Sequence, residues 1–248
     1  MLTYILIGAA VLAALIAARD IRITLTNRRV ARELVPGLRK LRKLAGEVVS
    51  YRPLRSDESI PDEFISFFDA AQQELTANGL VVLGDLMEVP LEDPSRPTRW
   101  FIDSTQTVCG WFGVLRNRVK GTLQPAMLFF SESSHDSYFI TGRGSSGRST
   151  AQPPSHHRDF FEWDVGLGET LHRHQAQITR SGAAVVRQPA TLEAGPALVR
   201  RLREHAARWR ATQPPDELLE QDVRVVTGDK WDYVGPRLLA LLADDVKG

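Results

Sequence analysis

Residues 2–18 carry no charge: Leu2, Tyr4, Ile5, Leu6, Ile7, Val11, Leu12, Leu15 and Ile16 are set among alanines, Gly8 and Thr3. As a helix at ~1.5 Å per residue the run covers roughly 26 Å, just under a hydrocarbon core of about 30 Å. Tyr4 suits one interface, and Arg19 can extend its head group to the other. A buried core helix is disfavoured, because the run is apolar all the way round. A cleavable signal peptide is the rival reading. It requires a basic start and a small-residue cleavage site. Here residues 1–4 hold no basic side chain, and Ile16-Ala17-Ala18 matches such a site weakly.

The flank favours the anchor. Between residues 19 and 55 stand eleven basic and three acidic residues, a net charge of +8. Positive charge beside a membrane helix stays in the cytoplasm. The expectation is a single-pass anchor over 1–19 in the inner, cytoplasmic membrane, with its amino terminus outside and the main domain inside. A basic stem and linker over 20–60 follows, then a soluble domain over 61–248 whose last part is helical. Roughly 190 residues after the stem suit one domain with a real core. The whole chain has a net charge of only +1, so the remainder is mildly acidic. A basic stem next to a bilayer faces anionic lipid headgroups rather than nucleic acid. Cys109 is the single cysteine, which excludes an internal disulfide and fits a reducing compartment. Within Thr107-Val108-Cys109-Gly110-Trp111 it reads as a small apolar strand residue.

Ile21 to Thr26 alternates, although a continuing helix fits equally, and Pro36-Gly37 punctuates the chain. Leu38, Leu41, Ala45 and Val48 then recur at helical spacing, with Arg39, Lys40, Arg42 and Lys43 between them. This amphipathic helix either lies on anionic lipid through those four cations or packs on its own domain with a solvated basic face. Residues 52–61 read as a linker. A helix is predicted to start near Asp62, with Phe64, Phe67, Phe68, Ala71 and Leu75 in one stripe and Asn78-Gly79 as its stop. Leu80 to Leu83 reads as a strand with a bulge at Gly84-Asp85, and 92–97 as a turn. β-like runs follow at 98–102, 107–115, 125–131 and 137–141, a spacing that suits an antiparallel meander. A Gly/Ser/Pro/Arg-rich loop spans 142–157, and 160–165 suggests a further strand. Helices are predicted over 168–181 and 194–212, with shorter ones at 215–222 and 235–243. This order implies an α+β fold: an N-terminal transmembrane helix, a basic helical stem, and an antiparallel sheet flanked by helices.

No motif is specific enough to assign an activity. Gly142-Arg143-Gly144-Ser145-Ser146-Gly147-Arg148 satisfies G-x-G-x-x-G. A phosphate site also needs a helix directly after the loop, and Pro153-Pro154 oppose one. The plainer reading is a flexible loop with solvated arginines, Arg143 and Arg148 remaining candidates to meet an anionic partner. His172 and His174 share a face on a strand but diverge by about 200° on the helix favoured here. A zinc site needs three or four converging ligands. Glu169, Glu162, Asp164 and His156 are equally free choices, so no metal and no cofactor are expected. His156-His157 reads as solvent-exposed, and carboxylate pairs such as Glu132 with Asp136 are common at this charge content.

The order of anchor, basic stem and then Leu75-Thr76-Ala77-Asn78-Gly79-Leu80-Val81-Val82-Leu83-Gly84-Asp85 resembles bacterial single-pass membrane proteins of uncharacterised function. In them a helix feeds a short Gly-Asp strand and an antiparallel sheet. The resemblance implies a fold and carries over no functional residue. The reading is a non-enzymatic, membrane-tethered module that meets lipid and another protein at the membrane. The alternative is a membrane-anchored enzyme, a hydrolase with its site in 142–174 around Asp164, His172 or His174.

Overall fold

The computed structural model describes residues 2–45, 49–89, 95–116, 121–134, 136–144, 150–161 and 164–243; the side chains of 2–21 and of Leu44 lie outside the described residues. Two compact units emerge, one from Met1–Ala45, Ser149–Ala151 and Gln213–Gly248, the other from Gly46–Arg148 and Gln152–Thr212.

The first unit is helical. α1 (Leu2–Ala45) is followed, much later in the chain, by α5 (Pro215–Thr227), a 3-10 turn at Gly228–Lys230 and α6 (Trp231–Leu242). Ile21 to Thr26 is helix, not strand, and α1 also runs through Pro36 instead of ending there. A proline removes one backbone hydrogen bond from a helix. Packing on both sides of it compensates: Ala31 and Leu38 are buried with Leu219, Val223, Val234, Leu238 and Leu242. One charged group is sealed into this unit. Asp222 is fully buried, accepts the Ala151 amide at 2.7 Å and pairs with Arg42 Nε at 3.3 Å. Asp222→Asn keeps an acceptor for the amide but removes the countercharge from Arg42. It is expected to cost about 1–3 kcal/mol, read as a lower urea midpoint. Among the described residues no helix is long and apolar enough to cross a membrane; the uncharged run of 2–18 has helical backbone but side chains outside that set.

The second unit is a seven-stranded sheet in simple sequential order between helices. Its strands are β1 (Ser50–Pro53), β2 (Leu80–Val89), β3 (Arg96–Asp103), β4 (Cys109–Arg116), β5 (Leu123–Glu132), β6 (Tyr138–Arg143) and β7 (His156–Phe161). β1 to β6 form the antiparallel meander, and the bulge falls between Val82 and Gly84. β7 departs from it by pairing parallel to β6. The linker reading of 52–61 is corrected at its start, since β1 reaches Pro53 and pairs with β2. The predicted turn at 92–97 is shortened: Arg96 and Pro97 belong to β3, and 91–94 lie outside the described residues. Of the predicted strand at 160–165, Phe160 and Phe161 close a strand that starts earlier, at His156, and 162–163 lie outside the described residues.

Helices cover both faces of this sheet, so its central strands are apolar on both sides and read as continuous runs. Along β5, Met127 and Phe129 face α2 (Asp62–Ala77) and α3 (Leu167–Ser181), whereas Ala126, Leu128 and Phe130 face α4 (Ala194–Thr212). α2 buries Phe68, Ala71 and Leu75 and stops at Asn78, followed by Gly79 with φ 84°. α3 ends on Gly182 with φ 64°, a left-handed cap that glycine adopts without strain.

Candidate functional site

On the α3 face, Ser131 of β5, Thr141 of β6 and His174 of α3 meet with no solvent exposure. Ser131 Oγ donates to the Thr107 carbonyl at 2.7 Å and lies 3.0 Å from His174 Nε2. With the serine proton committed to that carbonyl, Nε2 is the donor. Nδ1 lies 2.8 Å from Thr141 Oγ1, a hydroxyl that is also 3.3 Å from Gln177 Oε1. A catalytic base must instead accept the serine proton. Burial pushes the His174 imidazole down to about 3, so it stays neutral. The trio is a polar tie between sheet and helix, closed to any substrate.

Among the described residues of the predicted 142–174 site, Asp164, His172 and His174 are not brought together. His172 is exposed on the opposite side of α3 from His174, as the helical spacing requires, and Asp164 is exposed. Arg143 closes β6, half-buried and partnered, and burial lowers its pKa. Arg148 lies outside the described residues. The predicted loop is shorter at both ends, because Gly142 and Arg143 are strand and His156 starts β7. Gly142 has a packing role. A Cβ there would sit 2.5 Å from Leu128 Cδ2 and 2.6 Å from Phe160 Cδ1, the neighbours on either side of it in the sheet. Cys109 is fully buried, and desolvation with the Asp103 charge pushes its thiol up to about 12, far from a thiolate nucleophile.

The α4 face holds a cluster that the sequence reading did not assemble. Register sets Glu132, Tyr138 and His156 side by side across β5, β6 and β7. α4 lays Arg201 and His205, one helical turn apart, over that row. Arg201 Nη2 donates to Glu132 Oε2 at 2.6 Å and to Gln188 Oε1 at 2.9 Å. Tyr138 Oη donates to Glu132 Oε1 at 3.1 Å. His156 Nε2 and His205 Nδ1 are 3.0 Å apart, and both rings pack against Tyr138 at 5.2 and 5.5 Å between centroids. His156, read from sequence as exposed, is buried at 7% relative exposure. Burial, then His205 and Arg158, push its imidazole down to about 4. Burial and Glu132 push the Tyr138 phenol up to about 12. The hydrogen bond to Glu132 holds Arg201 more firmly protonated still. The visible signal was the i, i+4 spacing of Arg201 and His205; the strand register was not visible.

No protein-family model matches this chain, and no curated protein or solved structure is significantly similar to it. Function is therefore read from its own surfaces. Among the described residues no group of three or more His, Cys, Asp or Glu side chains is placed to hold a metal ion. Of the four cations predicted to face lipid, Arg42 turns inward to Asp222. Arg39 and Lys43 are exposed and Lys40 is half-buried, each with a partner in the structure. Earlier in α1, Arg22, Arg28, Arg29 and Arg32 are exposed, with Ile23 at 43% and Leu25 at 60%. Arg29 is balanced by Glu33 at 2.8 Å. Leu25, Arg28, Arg29, Arg32 and Glu33 line a shallow open recess.

Proposed function

We propose that this protein is a membrane-tethered accessory module that holds its sheet unit at the cytoplasmic face for another protein there. The observation that carries this reading is the continuity of α1. One helix joins the uncharged run of 2–18 to a stretch bearing exposed Arg22, Ile23, Leu25, Arg28 and Arg32, and among the described side chains of that helix packing against α5 and α6 starts at Val30 and Ala31. Residues 22–29 therefore form a stalk segment roughly 12 Å long outside that packing. Its mixture of arginines with exposed Ile23 and Leu25 matches the interfacial layer, where apolar side chains reach toward acyl chains and cations meet phosphate. Tethering raises the effective concentration of the sheet unit for partners on the same surface.

The test uses the full chain in nanodiscs, with an environment-sensitive fluorophore on Leu25→Cys. Its emission is expected to shift to the blue in phosphatidylglycerol relative to phosphatidylcholine. The triple variant Arg22→Gln, Arg28→Gln, Arg32→Gln should lose that shift, since each cation near an anionic surface contributes about 1 kcal/mol. High salt, with a Debye length of about 3 Å at 1 M, should weaken it too. Equal emission in both lipids would end the lipid role. Release of the chain from membranes by alkaline carbonate would end the anchor.

A further inference from the structure

The His156–His205 contact has a proton count that only one arrangement satisfies. One hydrogen lies between His156 Nε2 and His205 Nδ1, 3.0 Å apart. His156 Nδ1 is buried and has no hydrogen-bond partner. If His205 donated, the neutral His156 would have to carry its proton on Nδ1, stranding a buried N–H. Orphaned buried N–H groups are much rarer than under-satisfied acceptors. His156 is therefore the donor, with a bare lone pair at Nδ1. A proton added while the pair stays bonded has two places to go. On His156 it occupies Nδ1. On His205 it makes Nδ1 a donor, so that His156 must give up its Nε2 proton and again carry one on Nδ1. Both routes end on the same N–H without an acceptor.

We propose that His156 and His205 form an acid-released latch between β7 and α4. The pair holds while both rings are neutral, and one further proton is accommodated only by parting them. The groups around it do not relieve the added charge. From β7 itself come Arg158 and His157, both of which oppose protonation of His156. From β6 comes Tyr138, whose hydroxyl is already given to Glu132. From β5 comes Glu132, which Arg201 of α4 pairs at 2.6 Å; Asp136 acts on Tyr138, Glu204 beside His205 is exposed, and no anion raises the affinity of His156 for a proton among the described residues. The latch matters because of its position. β7 is the terminal strand of the sheet, paired only to β6 among the described strands. Opening it frees the strand edge and the end of α4, and this holds whether or not the chain is tethered.

The experiment is hydrogen exchange on the full chain across a pH series, corrected for intrinsic exchange, read at 156–161 and around residue 205. Each proton taken up on opening makes the opening constant rise about tenfold per pH unit below the ordinary imidazole range near 6.5. His205→Asn places an amide oxygen close to the Nδ1 position, keeps the acceptor and does not titrate. It is expected to lower the steepness in this region by one proton, about tenfold per pH unit. Equal steepness in wild type and variant overturns the latch. Imidazole nitrogen resonances of the wild type at neutral pH give a second reading that needs no variant. A proton on His156 Nε2 with Nδ1 bare is expected, and a proton on Nδ1 overturns the proposal.

Discussion

Acidifying the sheet unit from about pH 7 to about pH 4 is expected to remove on the order of 3 kcal/mol of its stability through His174 alone. The sign follows from where protons bind. Folded, His174 is fully enclosed by Ser131, Thr141 and Phe129 and stays neutral down to about 3. Unfolded, it takes up a proton near 6.5. Between those values the unfolded chain binds more protons, so unfolding becomes more favourable as pH falls, by about 1.4 kcal/mol per unit. His156 acts in the same direction over the narrower window from about 6.5 to about 4. Urea midpoints measured across the pH series check this. His174→Gln should be weaker than wild type at neutral pH by about 1–3 kcal/mol, because it fits the two hydroxyls imperfectly. Its pH dependence should be shallower by one proton. A variant as acid-sensitive as the wild type would mean that His174 is not the group that titrates.

Much of this sheet unit was legible from local pattern. α2 announced itself by its apolar stripe and the stop at Asn78-Gly79, and α3 and α4 were legible over 168–181 and 194–212, features decided within a few residues of chain. The central strands were legible because burial on both faces leaves long apolar runs such as Ala126 to Phe130. β1 was hidden because its four residues follow directly on the basic helix and have no apolar run of their own; what makes them a strand is the partner β2. β7 was hidden for the opposite reason. His156-His157-Arg158-Asp159 is polar and sits after a proline pair, yet the parallel edge of β6 recruits it. Pro36 reads locally as a helix breaker, because the apolar contacts that hold the helix through it come from α5 and α6, almost 200 residues further on.

The candidate site was less legible than the fold. Its row of Glu132, Tyr138 and His156 comes from three strands, and a slip of one residue in either pairing would turn one member to the other face. Nothing local in the sequence could set Tyr138 beneath His205. The glycine-rich stretch at 142–148 had the opposite fate. Gly142 satisfies a binding motif in letters, and its physical reason is the crowding of Leu128 and Phe160 on either side.

Gly195→Ala is expected to destabilise the sheet unit by about 1–3 kcal/mol or more, although alanine is the better helix former. Gly195 sits near the start of α4 directly over Trp100, which has no exposure at all. An added Cβ would lie 2.2 Å from Trp100 Cε3 and 2.3 Å from Cζ3. The ring cannot swing aside. Its Nε1 donates to Thr98 Oγ1 at 3.1 Å, and Tyr51 packs edge-on against it at 5.2 Å. The helix must therefore rise, which loosens Leu198, Val199 and Leu202 together. Trp100→Phe alone should also destabilise, by leaving a cavity, but it removes the atoms that collide with the new methyl. The double variant should consequently be more stable than the sum of the two changes predicts, by at least about 1 kcal/mol in denaturant unfolding. Strict additivity would show that α4 does not rest on Trp100. That contact also sets the height at which Arg201 and His205 meet the sheet. The Gly195→Ala variant should accordingly lose part of the exchange protection at 156–161 near neutral pH, before any acid is added.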